Sequence, residues 1–310
     1  MFVPALFISG AYTSNVGEMV GSLGIMTEHI QYANFATAVG MVVFTPFTIL
    51  FLEIRRSKMT YLLGLTVLVI ISYICAQTTS IPMLMICSFF TGFIRIILIF
   101  NKLFGLLGYI AGRDIVPLLK PSTEQRPEEM EEKFEKIKAM ALPFLYLFFL
   151  TVGQLGSFVT AWLAFSFQWQ YVYYFMIAIA LICLLLVEVT MVYQKRIKPI
   201  RLTLIKFGDT VCASLLLLSF SFIFIYGKTL DWFDSPLINY SLIILFISTG
   251  VFLILEIYSK RPYLDLKIFS FRNVVIALSV FIMLMVLNSS AMLVSTFVGI
   301  SMKIDNWQNA

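Results

Sequence analysis

The sequence predicts an all-α fold, a polytopic bundle of membrane helices, and three observations predict it. Hydrophobic residues fill 60% of the 310 positions and charged residues only 13%, with a mean hydropathy of +0.93. Soluble domains carry about 25% charged residues. Nine apolar stretches are each long enough to cross a hydrocarbon core of ~30 Å, which takes ~20 helical residues. Eighteen of the 22 Lys and Arg side chains fall in every second gap between those stretches. The stretches lack the alternation of a β-barrel. Backbone amides in lipid must be paired within the segment, so helices are the remaining choice.

The spans are expected near 2–24, 33–52, 59–77, 82–112, 139–164, 170–193, 204–226, 236–257 and 273–300. The basic gaps hold Arg55, Arg56 and Lys58; then Arg113 to Lys138; then Lys195 to Lys206; then Lys260 to Arg272. Lys and Arg collect on the cytoplasmic side. The reading is therefore an N-terminus inside and the end of this chain outside. Topology accounts for the net charge of +5, which gives no argument for nucleic-acid binding.

The first span reads TSNVGEMVGS around Glu18. Small and polar flanks suit a helix lining water, and a membrane carboxylate is the usual proton-coupling group. The other reading of Glu18 is an interfacial acid at the outer end of its span. Thr13, Ser14 and Asn15 interrupt this first run and no basic segment precedes it, which argues against a cleavable signal peptide. His29 is expected at an exterior loop edge, where a pH-sensing role is open.

The fourth span carries Arg95 and Lys102 seven residues apart on one face, with Asn101 alongside. Such a face can bind an anionic group or partner a carboxylate. It can also pair with another helix or with lipid phosphate, and Lys102 can snorkel to the interface. The cytoplasmic segment 113–138 contains RPEEMEEKFEKIK. Pro127, early acids, later bases and the pairs Glu129–Lys133 and Glu132–Lys136 predict a short surface helix.

In the fifth span, Gly153, Ser157 and Ala161 fall four apart, as do Gly156, Thr160 and Ala164. That spacing lets helices approach closely. Asp209, Glu188 and Glu256 stand near the cytoplasmic ends of their spans and are expected at the interface. Trp169, Trp232 and Trp307 are expected in the outer aromatic belt. The four cysteines, Cys75, Cys87, Cys183 and Cys212, lie within spans as inert thiols. With one histidine and no CxxC there is no metal-ligand cluster, and no nucleophile elbow, P-loop or dinucleotide fingerprint is present. No cofactor and no enzymatic activity is expected.

Three units follow: 1–193, a six-helix N-terminal bundle; 194–258, a basic linker and an inserted helix pair; and 259–310, the start of a C-terminal bundle. After the second span, FLEIRRSKMTYLLGL places Glu53, Arg55, Arg56 and Lys58 as an acid followed by bases. FQWQYVYYF opens the sixth span, FGDTVCASLLLL the seventh, YGKTLDWFDSPLI joins the seventh and eighth, and RPYLDLKIFSFRN leads into the ninth. With these segments the chain resembles the major facilitator superfamily, in particular its fourteen-helix drug:proton antiporter branch. In that branch six helices are followed by an inserted pair and six more.

The resemblance implies proton-coupled efflux of small molecules by alternating access, and a chain that continues beyond residue 310. Glu53, Arg55, Arg56 and Lys58 would form the cytoplasmic gating loop, Glu18 would be the proton carrier, and Arg95, Asn101 and Lys102 would line the substrate cavity. Partners would be the lipid bilayer, a small-molecule substrate, protons and a periplasmic adaptor protein. The Gly-Pro pair of the family's fifth helix is missing, since Gln154 follows Gly153. Two other readings stay open: an anionic-metabolite carrier, and a non-transporting remnant or scaffold holding one complete bundle.

Overall fold

The computed structural model describes residues 16–53, 57–110, 143–144, 147, 151–153, 155–191, 207–258, 263 and 269–302. Among them every regular element is a helix. They are α1 (Val16–Leu23), α2 (Thr27–Glu53), α3 (Ser57–Gln77), α4 (Ile81–Ile110), α5 (155–166), α6 (Trp169–Thr190), α7 (Phe207–Tyr226), α8 (Pro236–Tyr258) and α9 (Arg272–Met302). The expected helix at 113–138 and the basic linker 194–201 lie outside the described residues.

Five stretches are long and apolar enough to cross a bilayer: Lys58–Gln77, Ile81–Ile99, Trp169–Thr190, Gly208–Tyr226 and Pro236–Tyr258. Their outward surfaces are hydrocarbon. Leu63, Phe246 and Ile257 are 56%, 73% and 71% exposed, and only 11% of Pro236–Tyr258 is buried. A helix apolar all round needs lipid or protein on every side, and a water-soluble monomer does not expose apolar surface on this scale. The chain is a multi-pass membrane protein.

The second helix starts at Thr27, six residues before the expected boundary. Its polar first turn stays helical because His29 finds a partner on α7, where the Tyr226 hydroxyl lies 2.5 Å from Nδ1. His29 therefore belongs to a helix rather than to a loop edge. Gly24, at φ +61°, makes the tight turn that brings α1 back onto α2. Within α2, Pro46 cannot donate to the Val42 carbonyl, so the backbone ladder is loosened at that turn.

Neighbouring helices form a row: α6 packs on α3, α3 on α4, α4 on α2, α2 on α7, and α7 on α8. The closest approach is between α2 and α4. A Cβ added at Gly40 would collide with the Phe89 carbonyl oxygen, and one added at Gly92 with the Thr37 carbonyl oxygen. Each glycine admits the backbone of the other helix. The main core lies between α1, α2, α3, α4 and α6, around Met19, Ile30, Leu68, Cys75, Met176 and Val187.

Two polar pairs tie α3 to α6, one near each end. The Lys58 ammonium donates to the Glu188 carbonyl oxygen at 2.8 Å and pairs with its carboxylate at 3.2 Å. Gln77 Nε2 donates to the Tyr174 hydroxyl at 2.7 Å. Between α7 and α8 the chain turns through Asp231 and Trp232, both left-handed at φ 52° and 48°. Asp tolerates that region better than Trp. The Trp232 ring is held against Gly227, where a Cβ would come within 2.8 Å of it.

The aromatic-belt expectation is corrected for Trp169. It stands at the first turn of α6 but is 3% exposed, packed edge-on against Tyr173 in the core. Trp232 is 46% exposed, as a belt residue should be. Trp307 lies outside the described residues. Cys75, Cys87 and Cys183 are buried thiols and Cys212 is a half-buried one, none of them in a disulfide.

Candidate functional site

Asp209 and Glu256 were expected at the membrane interface, and both are buried, each 5% exposed. Tyr263, which follows α8, lies at the junction of α2, α7 and α8. Its backbone N–H donates to Glu256 Oε2 at 3.1 Å. Its hydroxyl donates to the Val43 carbonyl oxygen of α2, next to the ladder gap made by Pro46. Its ring packs edge-on against Phe252, within a cluster holding Val39, Val43 and Ala213.

Burial pushes the Tyr263 hydroxyl up to about 12, and the carboxylates of Asp209 and Glu256 add to the rise. The phenol thus stays a neutral donor at any physiological pH. Two carboxylates and a phenol lie where α7 and α8 meet α2. Buried acids in a membrane protein are costly unless paired, and they mark ion and proton paths.

Arg95 stands at the fifteenth of the 30 positions of α4, about 20 Å from either end at 1.5 Å per residue. It lies four residues from the Ile99 end of the membrane-crossing stretch, about 6 Å along the axis. Its Nε is buried and has no hydrogen-bond partner. It follows the Gly40–Gly92 crossing by one turn. The neighbouring hydroxyls bond back to their own helices, Ser88 to Leu84 O at 2.7 Å and Thr91 to Cys87 O at 2.8 Å. Asn101 and Lys102 continue the same helix toward Ile110.

Glu18 is half-buried in the first turn of α1. It lies six residues before Gly24, about 9 Å along the helix from the turn. Among the described residues it forms no ion pair with Arg95. Glu53 is the last residue of α2, and Arg55 and Arg56 lie outside the described residues. Of the basic loop, Lys58 is described, and it is buried against α6.

In α5, Gly156, Thr160 and Ala164 form a buried face, with Thr160 fully covered and bonded to Gly156 O at 2.8 Å. Ser157 is half-buried. A Cβ at Gly153 would meet nothing within 4 Å, so this glycine is not at a close helix contact. Sequence reasoning assigned close packing to span 5 and overlooked Gly40 and Gly92. Their signal was present: Ala33, Thr37 and Gly40 recur at helical spacing, as do Ser88 and Gly92.

A groove of about 300 Å³ opens between α3 and α4, lined by hydrocarbon from Leu63, Val67, Phe90, Ile94 and Ile97. Arg95 does not line it. No group of metal-ligating side chains occurs among the described residues. No protein-family model matches the chain, and no curated protein matches it.

Proposed function

We propose that the protein is a secondary transporter that couples proton movement to export of small molecules by alternating access. The observation that carries this reading is the burial of Asp209 and Glu256 with Tyr263 at the α2, α7 and α8 junction. A carboxylate at a helix junction can exchange a proton and so change how the helices pack. The half-row α6–α3–α4–α2 would move against α7 and α8 across that junction. Arg95, with a buried and unsatisfied Nε, would meet the substrate or its counter-charge. The likeness of the quoted segments to the drug:proton antiporter branch supports export, in an inner membrane with the basic loops in the cytoplasm.

The test is transport in sealed proteoliposomes under an imposed pH gradient, with an internal pH dye. Asp209→Asn or Glu256→Gln is expected to abolish gradient-driven flux, while Glu18→Gln tests the earlier candidate in parallel. Full gradient dependence in both the Asp209 and Glu256 variants would overturn the proposed coupling. The unsatisfied Arg95 also favours a second reading, an anionic-metabolite carrier. Competition by acidic solutes and not by lipophilic cations would select it.

A further inference from the structure

The first turn of α2 meets the last turn of α7 at the opposite end of their contact from Tyr263. Asp209 and Tyr226 stand 17 positions apart on α7, about 26 Å. His29 is the one histidine among the 310 residues. Its Nδ1 lies 2.5 Å from the Tyr226 hydroxyl, and the two rings are tilted with centroids 5.5 Å apart. Tyr226 is 6% exposed and His29 is half-buried. Tyr32, one turn along α2, sets its ring edge-on against Tyr226 at 5.8 Å and against Phe222 at 5.7 Å. Its hydroxyl donates to the Leu218 carbonyl oxygen at 3.3 Å. Both hydrogen bonds run from α2 to α7.

Burial decides the direction of the His29–Tyr226 bond. If Nδ1–H were the donor, the phenol proton would have no acceptor among the described residues. With Nδ1 as acceptor the phenol is satisfied, and the imidazole proton sits on Nε2. The contact is therefore made by a neutral ring. An imidazolium has N–H on both nitrogens and accepts nothing. Protonation would strand the covered phenol proton, which costs more than a cation gains against the Tyr226 ring.

The charged groups around the pair are few. On α2 the neighbour is Glu28, close enough to act on the Tyr226 hydroxyl through charge. No hydrogen bond joins the two among the described residues. The packed helix α1 carries Glu18, and α4 carries no charged side chain before Arg95. The turn after α7 carries Lys228, Asp231 and Asp234. None of these gives the phenol a second acceptor among the described residues.

Tyr226 is also where the α7–α8 turn is attached. Its carbonyl oxygen accepts from the Leu230 N–H at 2.9 Å and from the Thr229 hydroxyl at 3.2 Å. Asp231 and Trp232 follow in their left-handed conformations, with the Trp232 ring against Gly227. A shift of Tyr226 therefore carries the turn with it. We propose that His29 and Tyr226 form a proton-sensitive latch that joins α2 to α7, closed while the imidazole is neutral and released by acid. Imidazole is the side chain whose charge ordinarily changes between pH 5 and 8. The latch is independent of the transport reading and of the Asp209–Glu256 junction.

The experiment uses the full chain in phosphatidylcholine nanodiscs, titrated from pH 8 to pH 5, the range in which imidazole changes charge. Because there is one histidine, isotope labelling of imidazole nitrogen gives a single pair of ring signals that report tautomer and charge. Hydrogen–deuterium exchange of the segment 223–234 reports the turn, with labelling times scaled for the pH dependence of free-amide exchange. An Nε2–H tautomer with an accepting Nδ1 is expected at the alkaline end. On acidification the ring should charge, and exchange in the segment should rise about tenfold with the same midpoint, the effect of one buried bond lost. His29→Gln keeps an acceptor that cannot be protonated and should exchange slowly throughout. Tyr226→Phe should exchange fast throughout. An Nδ1–H tautomer at the alkaline end, a ring that stays neutral, exchange that does not follow the ring signals, or a pH response retained in His29→Gln would overturn the proposal.

Discussion

Gly40 of α2 and Gly92 of α4 face each other so closely that neither position has room for a methyl group. The obstructing atoms are backbone carbonyls of Phe89 and Thr37, which cannot rotate away. The crossing fixes the spacing of the two helices and the placement of Arg95 one turn beyond.

Gly40→Ala and Gly92→Ala should each lower stability by about 1–3 kcal/mol or more, as overpacking does. Thermal melting in detergent measures this. Gly153→Ala is the control, with open space around its Cβ, and should stay within about 0.5 kcal/mol of the parent. Equal effects at all three positions would mean that the crossing is not close.

Tyr263 predicts a stability change in alkali, and its sign is definite. An exposed tyrosine ionises near 10, whereas this one is held up to about 12. The folded protein therefore binds the phenolic proton more tightly than the unfolded chain does. The resulting stabilisation is complete below pH 10 and is lost as pH rises from 10 to 12. Tyr263→Phe should melt lower at neutral pH and show a flatter decline across that window.

At the α3–α6 contact, Glu188 is half exposed and Lys58 is covered. Glu188→Gln keeps an acceptor near the ammonium and should cost about 1 kcal/mol at most. Lys58→Glu sets two acids together and should cost clearly more. The charge swap Lys58→Glu with Glu188→Lys should recover part of that loss, read by melting of all four proteins at matched ionic strength.

Arg95→Met should leave insertion normal and raise the melting temperature, because a buried, unsatisfied Nε costs about 1–3 kcal/mol. Under the transport reading the same variant should lose flux. A variant that is less stable and still transports would contradict both the geometry and the assigned role.

The helices at spans 3, 4, 6, 7 and 8 could be read within about three residues of their ends, because twenty apolar residues bounded by charge leave little choice. The start of α2 could not, since the mostly polar run Thr27–Gln31 reads as loop until Tyr226 is seen opposite His29. Burial of Asp209 and Glu256 was hidden for a different reason. Both stand at helix ends beside basic linkers, the usual setting of an interfacial acid, and contacts such as those of Tyr263 at the junction are made by tertiary packing. Trp169 was misplaced similarly: its position along α6 fits a belt residue, but its direction depends on the neighbour α3. That α2 and α4 cross at Gly40 and Gly92 depends on the partner helix as well as on the spacing of small residues.

Lys58 meets Glu188 across 130 residues of sequence, and Gln77 meets Tyr174 across 97. At ~5–20 residues per second of synthesis, the ammonium of α3 waits on the order of ten seconds or more for its counter-charge. During that interval the positive end of α3 must stay hydrated at the membrane surface, and its polar neighbour at the far end must do the same. The late arrival of α6 is thus the step that lets α3 settle to its final depth. A ribosome stalled before residue 188 should leave α3 shallow and its first turn open to water-soluble amine reagents.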